Sequence, residues 1–341
     1  MNLLTLLLAP LAFIFGTITY LRNKLYDSKV LTSYKIPLKS IVVGNLSVGG
    51  TGKTPHVFYV TDLLSKRFKT AILSRGYGRI TNGFHKVSIN SKAIEVGDEP
   101  LLLKRRLGEK VFVSVCEDRK AGVEKIISDY EPNLIVLDDA FQHRKITAGV
   151  NILLTEFKRP YFSDFPMPMG RLREFTRGKK RGDLFLVTKC PSNLTENQKI
   201  DFISKMGVEI NSVFFSKIKY APFQCFSSIQ IDNIQNVLLV TAIADDSLIV
   251  EHLSDSFSVK TFKFRDHHAF TREDIKKIHL KFELLPVANS IILTTEKDFV
   301  KLSEFDEVIN GKYPWYFLPI DIEIDREEDF NQILINYVGS I

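Results

Sequence analysis

The chain of 341 residues has only three cysteines and one tryptophan. Cys116, Cys190 and Cys225 lie far apart and form no C-x-x-C motif, which argues against a disulfide framework and a zinc site and indicates a reducing compartment. The chain also lacks an internal repeat and a low-complexity tract. Its 45% apolar and 25% charged residues are typical of a globular protein, and its length allows two domains.

The stretch from residue 3 to residue 20 contains no charged side chain. As a helix it would be about 27 Å long at ~1.5 Å per residue, slightly short of a ~30 Å hydrocarbon core. It has no basic region before it and no small-residue cleavage site, which disfavours a secretory signal. Basic residues that suit anionic cytoplasmic headgroups follow it: Arg22, Lys24, Lys29, Lys35 and Lys39. We predict an interfacial or partly inserted anchor; the alternatives are a core helix and a single span.

Residues 47–54 combine glycines with a lysine and a threonine, directly after the apolar residues 40–43 and before a helix-compatible stretch at Pro55. Such glycines let backbone N–H groups surround a triphosphate, and the helix N-terminus adds partial positive charge. Lys53 would reach the β- and γ-phosphates, and Thr54 would bind Mg²⁺. The predicted nucleotide-binding residues are Ser47, Val48, Gly49, Gly50, Thr51, Gly52, Lys53 and Thr54. The alternative is a glycine-rich turn without function.

A second acidic site follows the apolar run at residues 134–137, which ends in Asp138 and Asp139. The run fits a central parallel strand, and the carboxyl edge of such a sheet is where α/β proteins hold ligands. We predict that these carboxylates bind the metal ion of the nucleotide. A strand with a solvated acidic turn is the alternative.

The formal net charge of +6 points to nucleic acid, or to a membrane and an anionic substrate, as partners. Basic residues are concentrated between Lys158 and Arg181, where they alternate with Phe, Met and Leu. Such loops suit an amphiphile that carries phosphate groups, and no zinc-finger spacing or RNA-binding signature accompanies them. We predict a membrane surface and an anionic substrate, and no nucleic acid, with a solvated basic loop as the alternative.

Short apolar runs alternate with helical stretches in the first half of the chain, the rhythm of a parallel sheet. The runs lie at residues 41–43, 70–73, 111–115, 134–137, 151–154 and 184–188. A second α/β unit is predicted from the strand at 237–241, the helix at 271–280 and the strand at 290–294. Alternating segments at 212–220 and 315–324 are predicted to join the two units as a ribbon.

Two other P-loop classes are disfavoured by specific positions. Membrane-cycling ATPases carry a lysine early in the loop, where this chain has Val48. GTPases of the signal-recognition type read guanine with the aspartate of T-K-x-D, but Thr188-Lys189-Cys190 is followed here by Pro191. ATP is therefore the predicted nucleotide.

Seven motifs occur in a specific order: G-N-L-S-V-G-G-T-G-K-T-P at 44–55, S-R-G-Y-G-R at 74–79, V-G-D-E-P at 96–100, D-D-x-F-Q-H at 138–143, G-R-L-R-E at 170–174, D-H-H at 266–268 and T-T-E-K-D at 294–298. With the apolar N-terminal helix they resemble the tetraacyldisaccharide 4'-kinases of lipid A biosynthesis, inner-membrane enzymes of Gram-negative bacteria. Ser47 is typical of that family. Ala140 replaces a common glycine, which changes only a turn. Phe175 replaces a common proline in a loop expected to contact the acceptor, which leaves acyl-chain or headgroup preference open.

The resemblance implies transfer of the γ-phosphate of ATP to the 4'-hydroxyl of tetraacyl glucosamine disaccharide 1-phosphate, giving lipid IVA. Lys53 and the loop amides would hold ATP. The predicted Mg²⁺ ligands are Thr54, Asp138, Asp139 and Glu99. The proton of the sugar hydroxyl needs an acceptor, for which we predict Asp98. The resemblance places its partner in the Asp-His-His segment, where His267 is preferred to His268.

Further polar residues of the motifs are predicted to contact the substrate. They are Arg75, Tyr77, Arg119, Gln142, His143, Arg171 and Arg173. Local structural roles are the alternatives: a tight turn at 75–77, a charged helix start at 119 and helix capping at 142–143. For residues 296–298, internal pairing at a helix start stands beside a direct role.

The predicted fold class is α/β. It comprises a P-loop NTPase domain with a central, mostly parallel sheet, a smaller α/β C-terminal domain joined by a short two-stranded linker, and an N-terminal apolar helix. The predicted boundaries are 1–30 for the membrane-associating helix and basic flank, 31–210 for the P-loop kinase domain, 211–223 for the linker strand, 224–316 for the smaller domain, and 317–341 for the return strand and terminal helix.

We predict a monomer at the cytoplasmic face of the bacterial inner membrane, peripheral or monotopic. Two rival functions remain. A membrane-associated P-loop ATPase switch would need the helix and the loop but has no use for Asp98 and His267. A soluble small-molecule kinase would use the N-terminal helix only as core.

Overall fold

The computed structural model describes residues 7–286 and 289–340. The helices are α1 Ala9–Asp27, α2 Lys53–Ser65, α3 Ala93–Val96, α4 Asp98–Leu107, α5 Arg119–Tyr130, α6 Glu196–Met206, α7 Ser247–Ser254, α8 Arg272–Phe282, α9 Glu296–Leu302, α10 Asp306–Ile309 and α11 Glu327–Gly339. The strands are β1 Tyr34–Lys35, β2 Lys39–Asn45, β3 Thr70–Ser74, β4 His85–Lys86, β5 Phe112–Val115, β6 Leu134–Asp138, β7 Ile146–Thr147, β8 Val150–Glu156, β9 Leu184–Thr188, β10 Val213–Tyr220, β11 Gln224–Cys225, β12 Asn236–Thr241, β13 Ser258–Lys263, β14 Ser290–Thr295, β15 Trp315–Leu318 and β16 Ile320–Ile324.

The larger sheet has nine strands in the order β16-β10-β9-β8-β2-β6-β3-β5-β4. Neighbours from β10 to β5 are parallel, and the edge strands β16 and β4 are antiparallel to theirs. Strands β3 and β6 are buried along their whole length, which is typical of parallel strands covered on both faces. Strands β2 and β6 are neighbours, so the loop at 47–54 and the acids at 138–139 meet at one carboxyl edge.

The smaller sheet has five strands in the order β11-β15-β14-β12-β13, and all its pairs except β11 with β15 are parallel. Its core surrounds the fully buried Trp315. Helix α8 begins as predicted, because the Thr271 side chain accepts a hydrogen bond from the Asp274 N–H and the Asp274 carboxylate reaches back to the Thr271 N–H.

Strands β10 and β16 connect the two units as an antiparallel ribbon, paired from Ser216 with Ile324 to Tyr220 with Ile320. The segment predicted as one alternating strand at 315–324 is divided at Pro319, which has no N–H for a ladder. Its first half is buried throughout and joins the smaller sheet as β15, while its second half alternates and forms the ribbon strand β16. The predicted domain boundaries remain predictions.

Helix α1 covers much of the predicted N-terminal helix, although residues 3–6 lie outside the described residues. It continues to Asp27, so the basic residues at 22 and 24 belong to the helix itself. One face is buried at Ala12, Gly16 and Asn23. Exposed apolar side chains occupy another face at three- and four-residue spacing: Leu11, Ile14, Ile18, Leu21 and Leu25. Within residues 7–286 and 289–340, no helix combines the length and apolar character that a bilayer crossing needs.

Two contacts fix α1 on the larger unit. The Asn23 side-chain amide donates a hydrogen bond of 2.6 Å to Glu174, a buried carboxylate that Arg181 also binds. Gly16 lies directly against the ring of Phe175, where a Cβ atom would overlap the ring. Phe175 therefore forms the seat of this helix.

Candidate active site

A cavity of about 910 Å³ opens where the smaller unit faces the carboxyl edge of the larger sheet. The larger unit contributes residues 48–56 and the acids at 138 and 139 to its walls. The smaller unit contributes residues 243–245, His267 and Lys297. The predicted phosphate loop and the predicted Asp-His-His segment therefore share one space.

The loop at 47–54 has the backbone conformation that its glycines allow, with Gly49 at φ 101° and Gly52 at φ 81°. Two of its carbonyl oxygens accept hydrogen bonds from neighbouring side chains. The Thr188 hydroxyl donates to the Thr51 carbonyl over 2.9 Å, and the His56 ring bonds the Gly52 carbonyl over 2.6 Å. These bonds hold negative carbonyl dipoles away from a phosphate group, as a phosphate-binding loop requires.

Asp138 carries an unpaired carboxylate oxygen into the site. Its Oδ2 accepts a hydrogen bond of 2.8 Å from the Ser74 hydroxyl, whereas its Oδ1 is buried without a partner in the described chain. Burial, together with the charges of Glu99 and Asp139, raises the pKa of Asp138 to about 7. Asp138 is therefore a buried carboxylate whose charge the nearby Lys53 offsets only in part, and one of its oxygens is free to coordinate a cation.

Asp139 has a different environment from its neighbour. It accepts two hydrogen bonds from Arg173, of 2.9 and 3.0 Å, and lies 3.9 Å from the Lys53 ammonium. Burial would raise the pKa of Asp139, but the charges of Lys53 and Arg173 outweigh it and lower that pKa. Asp139 therefore orients two cations, and Asp138 is the acid with free coordinating capacity.

The donor set suits a metal ion that arrives with a nucleotide. The described residues contain no group of three or more His, Cys, Asp or Glu side chains that would hold a metal by themselves. Mg²⁺ keeps several waters and is usually bound by one or two carboxylates plus substrate phosphates. Asp138 and the hydroxyl of Thr54 meet that requirement at the wall of the cavity.

The structure brings Asp98 and His267 together across the two units. His267 Nδ1 lies 3.1 Å from Asp98 Oδ2, and the Asp98 side chain is 7% exposed. Burial would raise the pKa of Asp98, but the hydrogen bond from His267 and the charges of Lys297 and Lys301 lower it to about 2. His268 points elsewhere and bonds Asp274 over 3.0 Å.

Helix α9 supplies two lysines: Lys297, for which the sequence left a direct role open, and Lys301, which no motif singled out. Lys297 Nζ lies 3.1 Å from both Glu99 Oε1 and His267 Nε2, and Lys301 Nζ lies 3.8 Å from Asp98. Spacing of i and i+4 places both on one face of the helix, and this was the signal available in the sequence. The predicted internal pairing at 296–298 is wrong, because Glu296 pairs with Arg106 and Lys297 with Glu99 of the larger unit, while Asp298 bonds Thr295 at the helix start.

The other predicted substrate residues divide into two groups. Those that line the cavity are Arg75, Tyr77, Arg119, Gln142, His143 and Arg173. Within the described part of the chain, Arg171 does not line the cavity. It forms ion pairs with Glu156 at 3.3 Å and Asp164 at 3.7 Å.

Arg119 and His143 both line the cavity, and the charge of Arg119 acts on the His143 ring. Arg119 is almost fully buried, and burial lowers its pKa to about 10. Burial also lowers the pKa of His143 to about 4, with help from the Arg119 charge. The Gln142 side-chain amide donates a hydrogen bond of 2.8 Å to the Asn45 carbonyl, which gives this residue a structural role. Arg119 therefore remains a cation and His143 a neutral ring at neutral pH.

The sequence of the chain matches known proteins along nearly its whole length. A family model described as "Tetraacyldisaccharide-1-P 4'-kinase" matches residues 4–339. The tetraacyldisaccharide 4'-kinase of Flavobacterium psychrophilum is 39% identical, with 100% of this chain and 98% of the relative covered. The enzyme of the same name from Bacteroides fragilis is 37% identical, with 97% and 92% covered.

A solved structure extends the match to the fold. The crystal structure of LpxK from Aquifex aeolicus in complex with ATP superposes with a TM-score of 0.77 at 30% identity, covering 98% of this chain and 99% of that one. The predicted fold class is confirmed by this match and by the two sheets and ribbon described above. The chain belongs to the tetraacyldisaccharide 4'-kinase family.

Proposed function

We propose that the protein transfers the γ-phosphate of ATP to the 4'-hydroxyl of tetraacyl glucosamine disaccharide 1-phosphate, giving lipid IVA. One observation carries the proposal: the phosphate loop, the unpaired carboxylate of Asp138 and the buried Asp98–His267 pair line or adjoin a single cavity. The names of the relatives and the ATP bound to the Aquifex aeolicus protein support it.

ATP would bind with its phosphates on the loop at 47–54. Lys53 would contact the β- and γ-phosphates, and its position beside Asp139 keeps the ammonium directed to the cavity. Thr54 and Asp138 would hold Mg²⁺, with Glu99 and Asp139 as the further predicted ligands. The metal ion would neutralise phosphate charge during transfer.

Asp98 would accept the proton of the sugar hydroxyl, with His267 as its orienting partner. A carboxylate whose pKa is about 2 is a weak base. Phosphoryl transfer through a loose transition state nevertheless places little demand on base strength, because catalysis rests on positioning and charge stabilisation. An ionised and fixed Asp98 satisfies that demand.

Cations at the wall would bind the anionic groups of both substrates. Arg119 and Arg173 lie near the acids at 138 and 139, and Arg75 lines the same space. Arginine suits phosphate because its planar fork donates two parallel hydrogen bonds. Tyr77, Gln142 and His143 would complete the acceptor contacts, and Arg171, behind the loop, would act on them indirectly.

Helix α1 would associate with the membrane that contains the lipid substrate. Its exposed apolar face and the basic residues at 22 and 24 lie on one continuous element. We place the protein as a peripheral or monotopic monomer at the cytoplasmic face of the inner membrane, without a nucleic-acid partner.

The test is transfer of radiolabelled γ-phosphate from Mg²⁺-ATP to a lipid A precursor disaccharide in detergent micelles. We expect labelled lipid from the wild type and at least about a hundredfold less from Asp98→Asn, which keeps the shape and removes the base. His268→Gln, which lacks contact with Asp98, is the matched control. ATP hydrolysis without labelled lipid would support the ATPase switch or a different acceptor.

A further inference from the structure

Lys297 joins both units at the site. It is the second residue of α9, in the smaller unit, and its ammonium lies 3.1 Å from Glu99 and 3.9 Å from Asp98 of the larger unit. Its third neighbour is Nε2 of His267, at 3.1 Å. Two carboxylates, 3.1 and 3.9 Å away, lie beside the ammonium and favour its charged form. Lys297 is therefore charged at neutral pH.

The contact with His267 determines where the histidine proton lies. A lysine ammonium has three donors and no lone pair, so a hydrogen bond between Lys297 and Nε2 requires Nε2 to be the acceptor. The ring proton then lies on Nδ1 and is donated to Asp98 Oδ2. The hydrogen bond to Asp98 raises the pKa of His267 above its usual value; burial and the Lys297 charge oppose this rise without cancelling it, and Asp266, whose Oδ1 lies 3.9 Å from Nε2, adds to it. A doubly protonated ring would direct an N–H at the ammonium.

We propose that Lys297 is a positioning residue that fixes His267 as the neutral, Nδ1-protonated tautomer and so leaves Asp98 to accept the proton of the acceptor hydroxyl. In a triad of the Ser-His-Asp type, the outer ring nitrogen faces the nucleophile and takes its proton. Here Lys297 donates a hydrogen bond to that outer nitrogen, Nε2 of His267. As the acceptor oxygen forms its new bond to the γ-phosphorus, the bond from that phosphorus to the β,γ-bridging oxygen breaks and ADP leaves. The acceptor O–H bond breaks as well, its proton passes to Asp98, and His267 keeps its own proton.

Asp98 keeps acceptor capacity in this arrangement. Its Oδ2 accepts the His267 proton, and its Oδ1 accepts the Glu99 backbone N–H over 2.9 Å. An ionised carboxylate has about four acceptor positions, so two remain for a substrate hydroxyl. This assignment rests on the proposed function, because it concerns the proton of that reaction.

Lys301 provides a matched comparison one turn further along α9. It places the same charge 3.8 Å from Asp98, but it bonds the His268 carbonyl and Asp298, each over 3.0 Å. Removing Lys301 therefore alters the charge near Asp98 without freeing the outer ring nitrogen of His267. Comparing variants of the two lysines therefore distinguishes an effect on the His267 tautomer from an effect of positive charge alone.

The first test is nitrogen NMR on protein with ¹⁵N-labelled histidine rings at pH 7.5, with His267 assigned from a His267→Gln variant. The wild type is expected to show a neutral ring protonated on Nδ1. Lys297→Met should give a tautomer mixture or a charged ring, while Lys301→Met and Lys312→Met, the latter exposed, keep the wild-type pattern. A wild-type ring protonated on Nε2 overturns the proposal whether or not any variant folds.

The second test is the transfer assay. Lys297→Met should lower kcat by about tenfold to a hundredfold and leave KM for ATP within about twofold. Lys297→Arg, which restores a cationic donor, should recover part of kcat. Equal losses in kcat and ATP affinity would contradict a positioning role. Because the NMR test contains no substrate, it stands even where the lipid kinase reaction itself is absent.

Discussion

His56 connects the phosphate loop to the ribbon between the two units, with its Nε2 2.8 Å from the Ser216 hydroxyl. Its Nδ1 lies 2.6 Å from the Gly52 carbonyl, which can only accept, so Nδ1 carries the proton and Nε2 accepts from Ser216. Ser216 stands where β10 ceases to pair with β9 and begins to pair with β16. One buried imidazole therefore links the last glycine of the loop to the base of the ribbon.

Ser216→Ala should weaken both the fold and ATP binding. The substitution leaves His56 Nε2 buried without a donor, which costs on the order of 1–3 kcal/mol of unfolding free energy. We expect ATP affinity to fall as well, because the loop carbonyl loses its orientation. Calorimetric binding and denaturant unfolding measure the two effects. Ser212→Ala, at an exposed hydroxyl bonded to the Glu209 carbonyl, is the control and should change neither.

His56 should make the protein sensitive to acid between pH 6.5 and 4. Burial lowers the pKa of His56 from 6.5 to about 4 in the folded state. Within that window the unfolded chain binds more protons, so stability falls as the pH falls, by about 1.4 kcal/mol per pH unit at most. Above pH 6.5 the group contributes no pH dependence.

The check is the unfolding free energy measured from pH 4 to pH 7.5. His56→Gln should reduce the loss at pH 4 by up to about 3 kcal/mol relative to wild type, although it is less stable throughout. His85→Gln is the control at a surface position. An unchanged pH slope in His56→Gln would show that other groups cause the acid sensitivity.

Asp138→Asn should stabilise the protein without ligands and abolish its response to Mg²⁺-ATP. The amide keeps the bond with Ser74 and removes a buried carboxylate oxygen that accepts no hydrogen bond, so unfolding free energy should rise by on the order of 1–3 kcal/mol. Thermal unfolding with and without Mg²⁺-ATP is the measurement. If the variant is less stable without ligand and is still stabilised by Mg²⁺-ATP, Asp138 does not bind the metal ion.

Ile18→Glu should reduce binding to vesicles that contain anionic phospholipids. The side chain is 62% exposed on the apolar face of α1, so the change removes apolar contact and adds repulsion without disturbing the core. We expect at least about a tenfold weaker partition coefficient in a flotation assay. Ile200→Glu, at 55% exposure on α6, is the matched control. Equal binding by both variants would place the membrane contact elsewhere.

Gly16→Ala should loosen helix α1 from the larger unit, because the added Cβ overlaps the Phe175 ring. Overpacking of this kind costs about 1–3 kcal/mol. Hydrogen exchange of the α1 amides should accelerate in the variant and recover in Gly16→Ala with Phe175→Ala, which provides space for the methyl group. Failure of the second substitution to restore protection would mean that the ring does not form the seat.

Local sequence predicted the elements that carry the phosphate loop and the acids at 138–139, because each depends on a short pattern next to a strand. The capped start of α8 at Thr271 is of the same kind. The division of residues 315–324 depended on Pro319 and on which sheet each half joins, which alternation alone does not reveal. Lys301 and the His56 link were missed, and a direct role of Lys297 stayed one of two alternatives, because their partners lie far away in the chain and meet only through the packing of two units.

The groups that lower the pKa of Asp98 have one origin. His267, Lys297 and Lys301 all come from the smaller unit, while the carboxylate belongs to the larger one. Any motion that separates the units therefore removes the orienting bond and both positive charges at once. With Asp98 as the proposed base, ATP on the phosphate loop of an open molecule would meet no oriented base to activate water, and the split of the site across the ribbon would protect the nucleotide from futile hydrolysis.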